Sequence, residues 1–121
     1  MPSMPIFVDA RIPVIFAPVA IAGPEDAVLV EGEIPAPEGV PVARFGPQRP
    51  GHGIACACCA PRGPVATALH RLFLARARGE VAMFRRVLVQ AGPAGEATVR
   101  DAVAQDAFLA GRYRLGAESG L

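Results

Sequence analysis

The sequence contains no lysine and no tryptophan, and serine occurs only at Ser3 and Ser119. All twelve basic residues are therefore arginines. A phosphate-binding loop of the nucleotide hydrolases needs a lysine to reach the phosphates, so this composition excludes that loop. Two serines near the two ends argue against a serine nucleophile, and no pair of carboxylates is spaced for acid–base work. We therefore expect no enzymatic activity.

Long apolar runs and strong charge are also absent. No apolar stretch approaches the roughly 20 residues that a membrane-spanning helix needs. The net charge is only +1, and the longest basic run is Arg85-Arg86, so we expect no nucleic-acid partner. Residues 12–22 after Arg11 resemble a weak export signal, but Pro13 and Pro18 interrupt them, which favours a protein that is not exported.

Cysteine occurs three times, at Cys56, Cys58 and Cys59. Three thiols cannot all pair within one chain, so we expect no disulfide framework and a reducing, cytoplasmic location. Side chains alternate along an extended segment, so a bend near Cys58 or Cys59 is needed to bring the three sulfurs to one ion. Pro64 suits the first turn of a helix, whose positive end would favour thiolates. Thiolates bind zinc and other thiophilic metals, so the sequence predicts a metal site here.

The cysteines belong to a longer pattern, which reads GIACACCAPRGPVATALHRLFLARARGEVAMFRRVLVQ and continues with DAFLAGRYRL. This pattern resembles the CobW-type metallochaperone GTPases. In that family a Cys-x-Cys-Cys motif, an Arg-Gly and an amphipathic helix precede a buried strand, an acidic-Gly loop and a helix reading roughly DPFLAARYRL. The likeness covers about residues 51 to 115. It implies that Cys56, Cys58 and Cys59 are metal ligands.

The chain departs from this family at the nucleotide site. The family carries a Gly-rich loop ending in Gly-Lys-Thr after its first strand, whereas residues 18–23 read PVAIAG. Gln90 stands where the family has an acidic residue that helps to hold magnesium, and the guanine-reading segment would lie beyond Leu121. The resemblance thus implies the metal motif without the nucleotide site. Glu96 corresponds loosely to a family acidic position, but as a first-turn helix residue it has a structural reason to be there.

The composition predicts one packed domain over residues 1–121, since 52% of the residues are hydrophobic. We expect an amino-terminal arm at 1–11 and a carboxyl-terminal tail at 116–121. Five prolines between residues 32 and 52 predict a Pro/Gly-rich loop there. This loop is either a stiff surface connection or an extended segment that binds a partner.

The predicted fold class is α/β: a small, truncated, three-layer-like sheet, mostly parallel, with about three helices in the carboxyl-terminal half. Apolar runs predict strands, and 3.6-residue periodicity with turn and cap residues predicts helices. The strands are predicted at 12–17, 27–31, 40–45, 54–56 and 86–90. The helices are predicted at 64–78 and 96–105, with a third that starts after Asp106 and ends at Tyr113 or Arg114. We expect no strand after it.

Three thiolates leave a fourth zinc ligand to be found. His52, four residues before Cys56, is the first candidate and His70 the second; water or a partner protein could also fill this position. Redox chemistry between cysteines and an inert, vestigial trio are the alternatives. The predicted function is a metal carrier, buffer or sensor that binds zinc or another thiophilic metal, working with a metalloprotein or with further copies of itself. The alternative is a scaffold protein whose cysteines have no role.

Overall fold

A computed structural model of the chain describes residues 10–46 and 63–116. These ranges contain five strands, three α-helices and one short 3-10 turn at Val19–Ile21. The strands are β1 (Ile12–Phe16), β2 (Asp26–Glu31), β3 (Val42–Phe45), β4 (Arg86–Gln90) and β5 (Tyr113–Leu115). The helices are α1 (Gly63–Ala77), α2 (Pro93–Gln105) and α3 (Ala107–Arg112). None of these helices is long and apolar enough to cross a membrane.

The five strands form one sheet in the order β3-β2-β4-β1-β5, and every neighbouring pair is parallel. In the centre, Val14 of β1 lies opposite Val87 of β4, and Val28 of β2 lies opposite Leu88. Continuous apolar runs suit these central strands because both of their faces are covered. The prediction of an α/β protein with a mostly parallel sheet is confirmed.

All three α-helices pack against one face of the sheet, called here the helical face. Its core joins Leu29 of β2 and Val89 of β4 to Leu69 of α1, Val99 of α2 and Leu109 of α3. The buried hydroxyl of Tyr113 donates a hydrogen bond of 2.9 Å to the carbonyl of Leu69, which ties β5 to α1. This face holds the larger of the two cores.

The opposite face, called here the turn face, is covered without an α-helix among the described residues. Val28, Val30 and Leu88 are fully buried there. The 3-10 turn contributes Val19, and apolar residues between 32 and 41 pack around the same cluster. The first part of the Pro/Gly-rich segment thus covers part of the sheet, and β3 occupies residues further along that segment.

Helix α1 closely matches its predicted range, and the residues after its last turn explain where it ends. Gly79 adopts a positive φ of 74°, and the N–H groups of Gly79 and Glu80 donate to the carbonyls of Arg76 and Ala75. This paired arrangement is the Schellman motif, which needs a left-handed residue that glycine supplies at low cost.

Two predicted boundaries were wrong. Helix α2 begins at Pro93, three residues before the predicted start at Glu96, because proline fits the first helical position after the cap residue Gly92. The predicted third helix ends at Arg112, and Tyr113 opens strand β5, where no strand was expected. Asp106 does cap α3 as predicted, since its carboxylate accepts from the N–H groups of Phe108 and Leu109.

A partly buried ion pair lies at the amino edge of the sheet on the turn face. Asp26 is 5% exposed, and its two carboxylate oxygens accept hydrogen bonds of 2.9 and 2.8 Å from Arg86. The N–H of Gly23 donates to the same carboxylate at 2.8 Å. The hydrogen bonds from Arg86 hold the pKa of Asp26 below its ordinary value, against the opposing effect of burial.

Candidate functional site at the carboxyl edge of the sheet

The strand order places a crevice between the carboxyl ends of β1 and β4. From β1 the chain crosses the turn face toward β2, and from β4 it crosses the helical face toward β5. The two connections leave on opposite faces and in opposite directions. In open parallel sheets such a switch point is where ligands bind.

The crevice at this switch point has a volume of about 310 Å³. Phe16, Ala17 and Pro18 form the wall on the side of β1. Val89, Gln90 and Ala91 form the wall on the side of β4, and α2 adds Glu96 and Arg100. The crevice therefore combines an apolar wall with a small number of polar side chains.

These polar side chains contact other residues of the chain. The Gln90 Oε1 atom accepts a hydrogen bond of 2.9 Å from the N–H of Val19, which fixes the 3-10 turn to β4. The guanidinium of Arg100 lies 4.3 Å from the centre of the Phe16 ring and 3.9 Å from a carboxylate oxygen of Glu96. Because the amide and both charges are engaged in this way, the crevice offers a binding shape more than a reactive pair of groups.

The connection from β1 to β2 is described in full and contains the 3-10 turn but no α-helix. A phosphate group is commonly held by the N–H groups at the start of a helix that follows such a strand. This connection offers no such helix start at the end of β1.

The start of α2 also faces the carboxyl edge, and a carboxylate of the protein occupies it. The N–H of Gly92 donates a hydrogen bond of 2.8 Å to Oε1 of Glu31. A Cβ atom on Gly95 would lie 2.9 Å from the same carboxylate, so glycine permits the close approach. Glu31 thus compensates the partial positive charge of this helix start, where an external anion would otherwise be attracted.

The predicted metal ligands Cys56, Cys58, Cys59 and His52 lie outside the described residues, as does the predicted strand at 54–56. The described residues on either side of this segment show where the segment leaves and rejoins the fold. β3 ends at Phe45, and α1 begins at Gly63. Because α1 leads back to the start of the parallel strand β4, both ends of the segment lie at the carboxyl edge of the sheet.

The second histidine candidate, His70, lies within α1. Its ring packs against Phe108, with the ring centroids 4.1 Å apart and the ring planes tilted by 56°. The guanidinium of Arg112 lies 4.0 Å from the centre of the same Phe108 ring. His70 is seven residues after Gly63, about 10 Å along the helix axis. Its observed surroundings are those of a packed imidazole on the helical face.

In residues 10–46 and 63–116 there is no group of three or more His, Cys, Asp or Glu side chains that could hold a metal ion. The cysteine motif therefore remains the candidate for a metal site on the basis of the sequence.

Sequence reasoning missed three features of the carboxyl edge: the bond from Gln90 to the 3-10 turn, the capping of α2 by Glu31, and the stacking of Arg100 on Phe16. Gln90 and Glu31 end their strands, which places them at this edge. That position was a usable signal, but the partners lie 71 and 61 residues away in sequence. No local pattern identifies such partners.

The described residues define an open, all-parallel α/β protein with a crevice at its switch point. No family model, curated protein or solved structure matches this chain.

Proposed function

We propose that this protein binds a thiophilic metal ion, zinc or a related metal, through Cys56, Cys58 and Cys59, and that it does not hydrolyse a nucleotide. The observation that carries the proposal is the spacing of the three thiols, four positions before a helix. Thiolates are the ligands that zinc, cobalt and copper(I) prefer among protein side chains. The resemblance to the CobW-type metallochaperones rests on the same residues.

The structure around the motif supports this proposal. Helix α1 begins at Gly63, has Pro64 next to it, and carries no acidic residue in its first turn. The partial positive charge at the start of α1 is therefore not compensated within that turn. The start of α1 lies at the carboxyl edge of the sheet and directly follows the cysteine segment in the sequence. A helix start with this charge lowers the pKa of nearby thiols and so favours metal binding.

Several observations support the absence of nucleotide hydrolysis. The chain has no lysine, and the connection after β1 contains no α-helix. Gln90, which occupies the position of a magnesium-binding acid in the resemblance, accepts a hydrogen bond from the backbone instead. Glu31 places a negative charge at the start of α2, which disfavours a phosphate there.

The proposed role is that of a carrier, buffer or sensor in the reducing cytoplasm. Three thiolates fill three of the four positions of a tetrahedral zinc site. His52 is the candidate for the fourth, and a water molecule or a ligand from a metalloprotein partner is the alternative. A position of the latter kind would suit transfer of the metal, because the partner could enter the coordination shell before the thiolates leave.

The test is to purify the protein without oxygen, measure bound metal per chain by mass spectrometry, and add cobalt(II). We expect one metal per chain and a thiolate-to-cobalt absorption band, and we expect both to disappear when the three cysteines are changed to serine. His52→Gln and His70→Gln form a matched pair. If His52 is the fourth ligand, only the first variant changes the cobalt spectrum.

A wild-type protein that neither contains metal nor takes up zinc at micromolar concentrations would contradict the proposal. Thiol counting on the same sample tests the redox alternative, since a cysteine pair that cycles would be found oxidised in part. Hydrolysis of GTP by the purified wild type, absent from a mock preparation, would contradict the second half of the proposal.

One observation favours the scaffold alternative. Strands β3 and β5 are the outer strands of the described sheet, and each carries a partly exposed apolar side chain, with Val42 at 41% and Leu115 at 39%. Exposed strand edges can pair with another chain. Sedimentation velocity over a range of concentrations tests this alternative, and self-association that is independent of the cysteines would support it.

A further inference from the structure

A second concavity lies at the opposite, amino edge of the sheet, and four arginines line it. Its volume is about 500 Å³. The lining arginines are Arg11, Arg76, Arg85 and Arg114, and the remaining lining residues are Ala10, Ile12, Pro13 and Met83. None of these lining residues is acidic. This concavity is called here the arginine pocket.

The parallel topology explains why four distant arginines meet. Arg11 precedes β1 and Arg85 precedes β4, so both lie where their strands begin. Arg76 lies in the last turn of α1, which returns the chain to the amino edge before β4. Arg114 lies in β5 opposite Pro13 of β1. Four separate segments of the chain therefore each bring one guanidinium to the same edge.

Contacts with uncharged groups hold two of these side chains. The Nε–H of Arg76 donates a hydrogen bond of 2.8 Å to the carbonyl of Phe84, and its guanidinium lies 5.3 Å from the centre of the Phe84 ring. Arg11 donates to the carbonyl of Ala110 at 3.3 Å. The carbonyl oxygen and the ring of Phe84 orient the guanidinium of Arg76 without cancelling its charge.

Glu25 and Asp26 border an adjoining concavity that also includes Arg85 and Arg86. Asp26 is held by the two hydrogen bonds from Arg86. Glu25 lies 3.7 Å from Arg85, but both side chains are largely exposed, so solvent weakens this pair. In a chain with a net charge of only +1, four of the twelve arginines thus line one concavity that has no acidic lining residue.

We propose that the arginine pocket binds a small, multiply charged anion of the phosphate class, such as pyrophosphate or a phosphorylated metabolite. Guanidinium groups bind phosphate oxygens through paired N–H donors, and several of them around one concavity favour a ligand with several negative charges. A concave site suits a small molecule better than a flat basic stripe does. The arginine pocket lies at the opposite edge of the sheet from Phe45 and Gly63, which flank the cysteine segment, so this proposal is independent of the proposed metal site.

The experiment is isothermal titration of the full chain with sulfate, orthophosphate, pyrophosphate and tripolyphosphate. We expect one site per chain, tighter binding as ligand charge rises, and weaker binding as salt is added. The double variant Arg11→Gln/Arg85→Gln should weaken pyrophosphate binding by about tenfold or more for each guanidinium removed. Arg114→Gln should weaken it in the same direction.

The matched control is Arg71→Gln/Arg78→Gln, which removes the same charge from two exposed arginines outside the arginine pocket. Arg78 lies 4.0 Å from Glu80, much as Arg85 lies near Glu25. We expect this control to bind pyrophosphate within about twofold of the wild type, because only screened, long-range attraction is lost. Thermal unfolding of each variant checks that it is folded.

Equal weakening in the pocket and control variants would overturn the proposal, because it would mean that net charge alone governs binding. Absence of pyrophosphate binding to the wild type would overturn it too, as would tighter binding of a DNA duplex than of tripolyphosphate. The triple cysteine-to-serine variant should keep its pyrophosphate affinity. That result would separate the arginine pocket from the metal site.

Discussion

Asp26 is the one buried acidic side chain among the described residues, and it accepts two hydrogen bonds from Arg86 and one from Gly23. Asp26→Asn keeps the size of the side chain but leaves Arg86 without its charged partner. Because the Arg86 side chain is 38% exposed, water replaces part of the lost interaction. We expect the free energy of unfolding to fall by roughly 1–3 kcal/mol, measured by urea denaturation.

Glu25→Gln is the control for this measurement. It removes a carboxylate next to Asp26 from a pair in which both side chains are mostly exposed. The free energy of unfolding should change by less than about 0.5 kcal/mol. An equal effect of the two substitutions would mean that the buried geometry of Asp26 contributes nothing.

The same side chain predicts a dependence of stability on pH. The pKa of Asp26 is lowered in the folded protein from its ordinary value of 3.8, mainly by the hydrogen bonds from Arg86. The unfolded chain therefore binds the proton first as pH falls, and the pair stabilises the fold fully above that value. Its contribution is lost as pH drops through the folded-state pKa. Urea denaturation of the wild type and Asp26→Asn should give stabilities that converge in this acid range.

Gly95 and Glu31 form a second residue pair whose coupling can be measured. Gly95→Ala brings a Cβ atom into conflict with the Glu31 carboxylate, although alanine favours the helix. In a Glu31→Ala background the conflict is gone, and only the helix preference remains. We expect Gly95→Ala to be more stabilising in that background than in the wild type by about 1 kcal/mol, determined from a double-mutant cycle. Equal effects in both backgrounds would contradict the observed contact.

At the scale of elements, two glycines separate the effect of backbone conformation from that of packing. Gly79, after α1, has a φ of 74°, whereas Gly111 lies within α3 and has no positive φ. A Cβ atom at either position would meet nothing within 4 Å. Gly79→Ala should therefore destabilise the protein by about 1 kcal/mol or more through left-handed strain, and Gly111→Ala should stabilise it by up to about 1 kcal/mol.

Thermal unfolding of the two variants measures this contrast. The Gly79→Ala protein should melt below the wild type and the Gly111→Ala protein at or above it. Shifts in the same direction would mean that the Schellman motif after α1 does not depend on the conformation of Gly79.

The elements were predictable where local residues determine their limits. β4 matches its predicted range, and α1 is within one residue at each end, because turn residues and proline mark those limits. β5 was missed because Tyr113–Leu115 is only three residues long and continues directly from α3. Its strand conformation comes from pairing with β1, which local sequence does not encode.

At the scale of the molecule, the turn face is a true core although no described α-helix covers it. Leu88 is 0% exposed and lies opposite Val28, in a cluster that also contains Val30 and Val19 of the 3-10 turn. Leu88→Ala should lower the free energy of unfolding by roughly 2–5 kcal/mol, as for a well-packed core leucine. Ile21→Ala, at a turn residue that is 58% exposed, is the control and should cost less than about 0.5 kcal/mol. A small effect at Leu88 in urea denaturation would indicate a loosely packed face.

The sequence predicted the fold class and the parallel character of the sheet, since apolar runs such as Ala27 to Val30 indicate strands covered on both faces. It did not predict that all three helices would share one face, because their apolar stripes do not specify a side of the sheet. For the candidate sites, the cysteine spacing was visible in the sequence. The arginine pocket was not, because its four side chains come from segments spread over Arg11 to Arg114.

The strand order has a consequence for how the chain folds as it is synthesised. β1 is the first described strand, yet its neighbours in the sheet are β4 and β5, the last two. As a nascent chain leaves the ribosome, Val14 can pair only after Val87 has been synthesised, and Ile12 only after Tyr113. Contacts that span so much sequence form slowly. Until β4 and β5 have been synthesised, the apolar segment of β1 therefore lacks both of its neighbouring strands, and the described sheet can form only after they emerge.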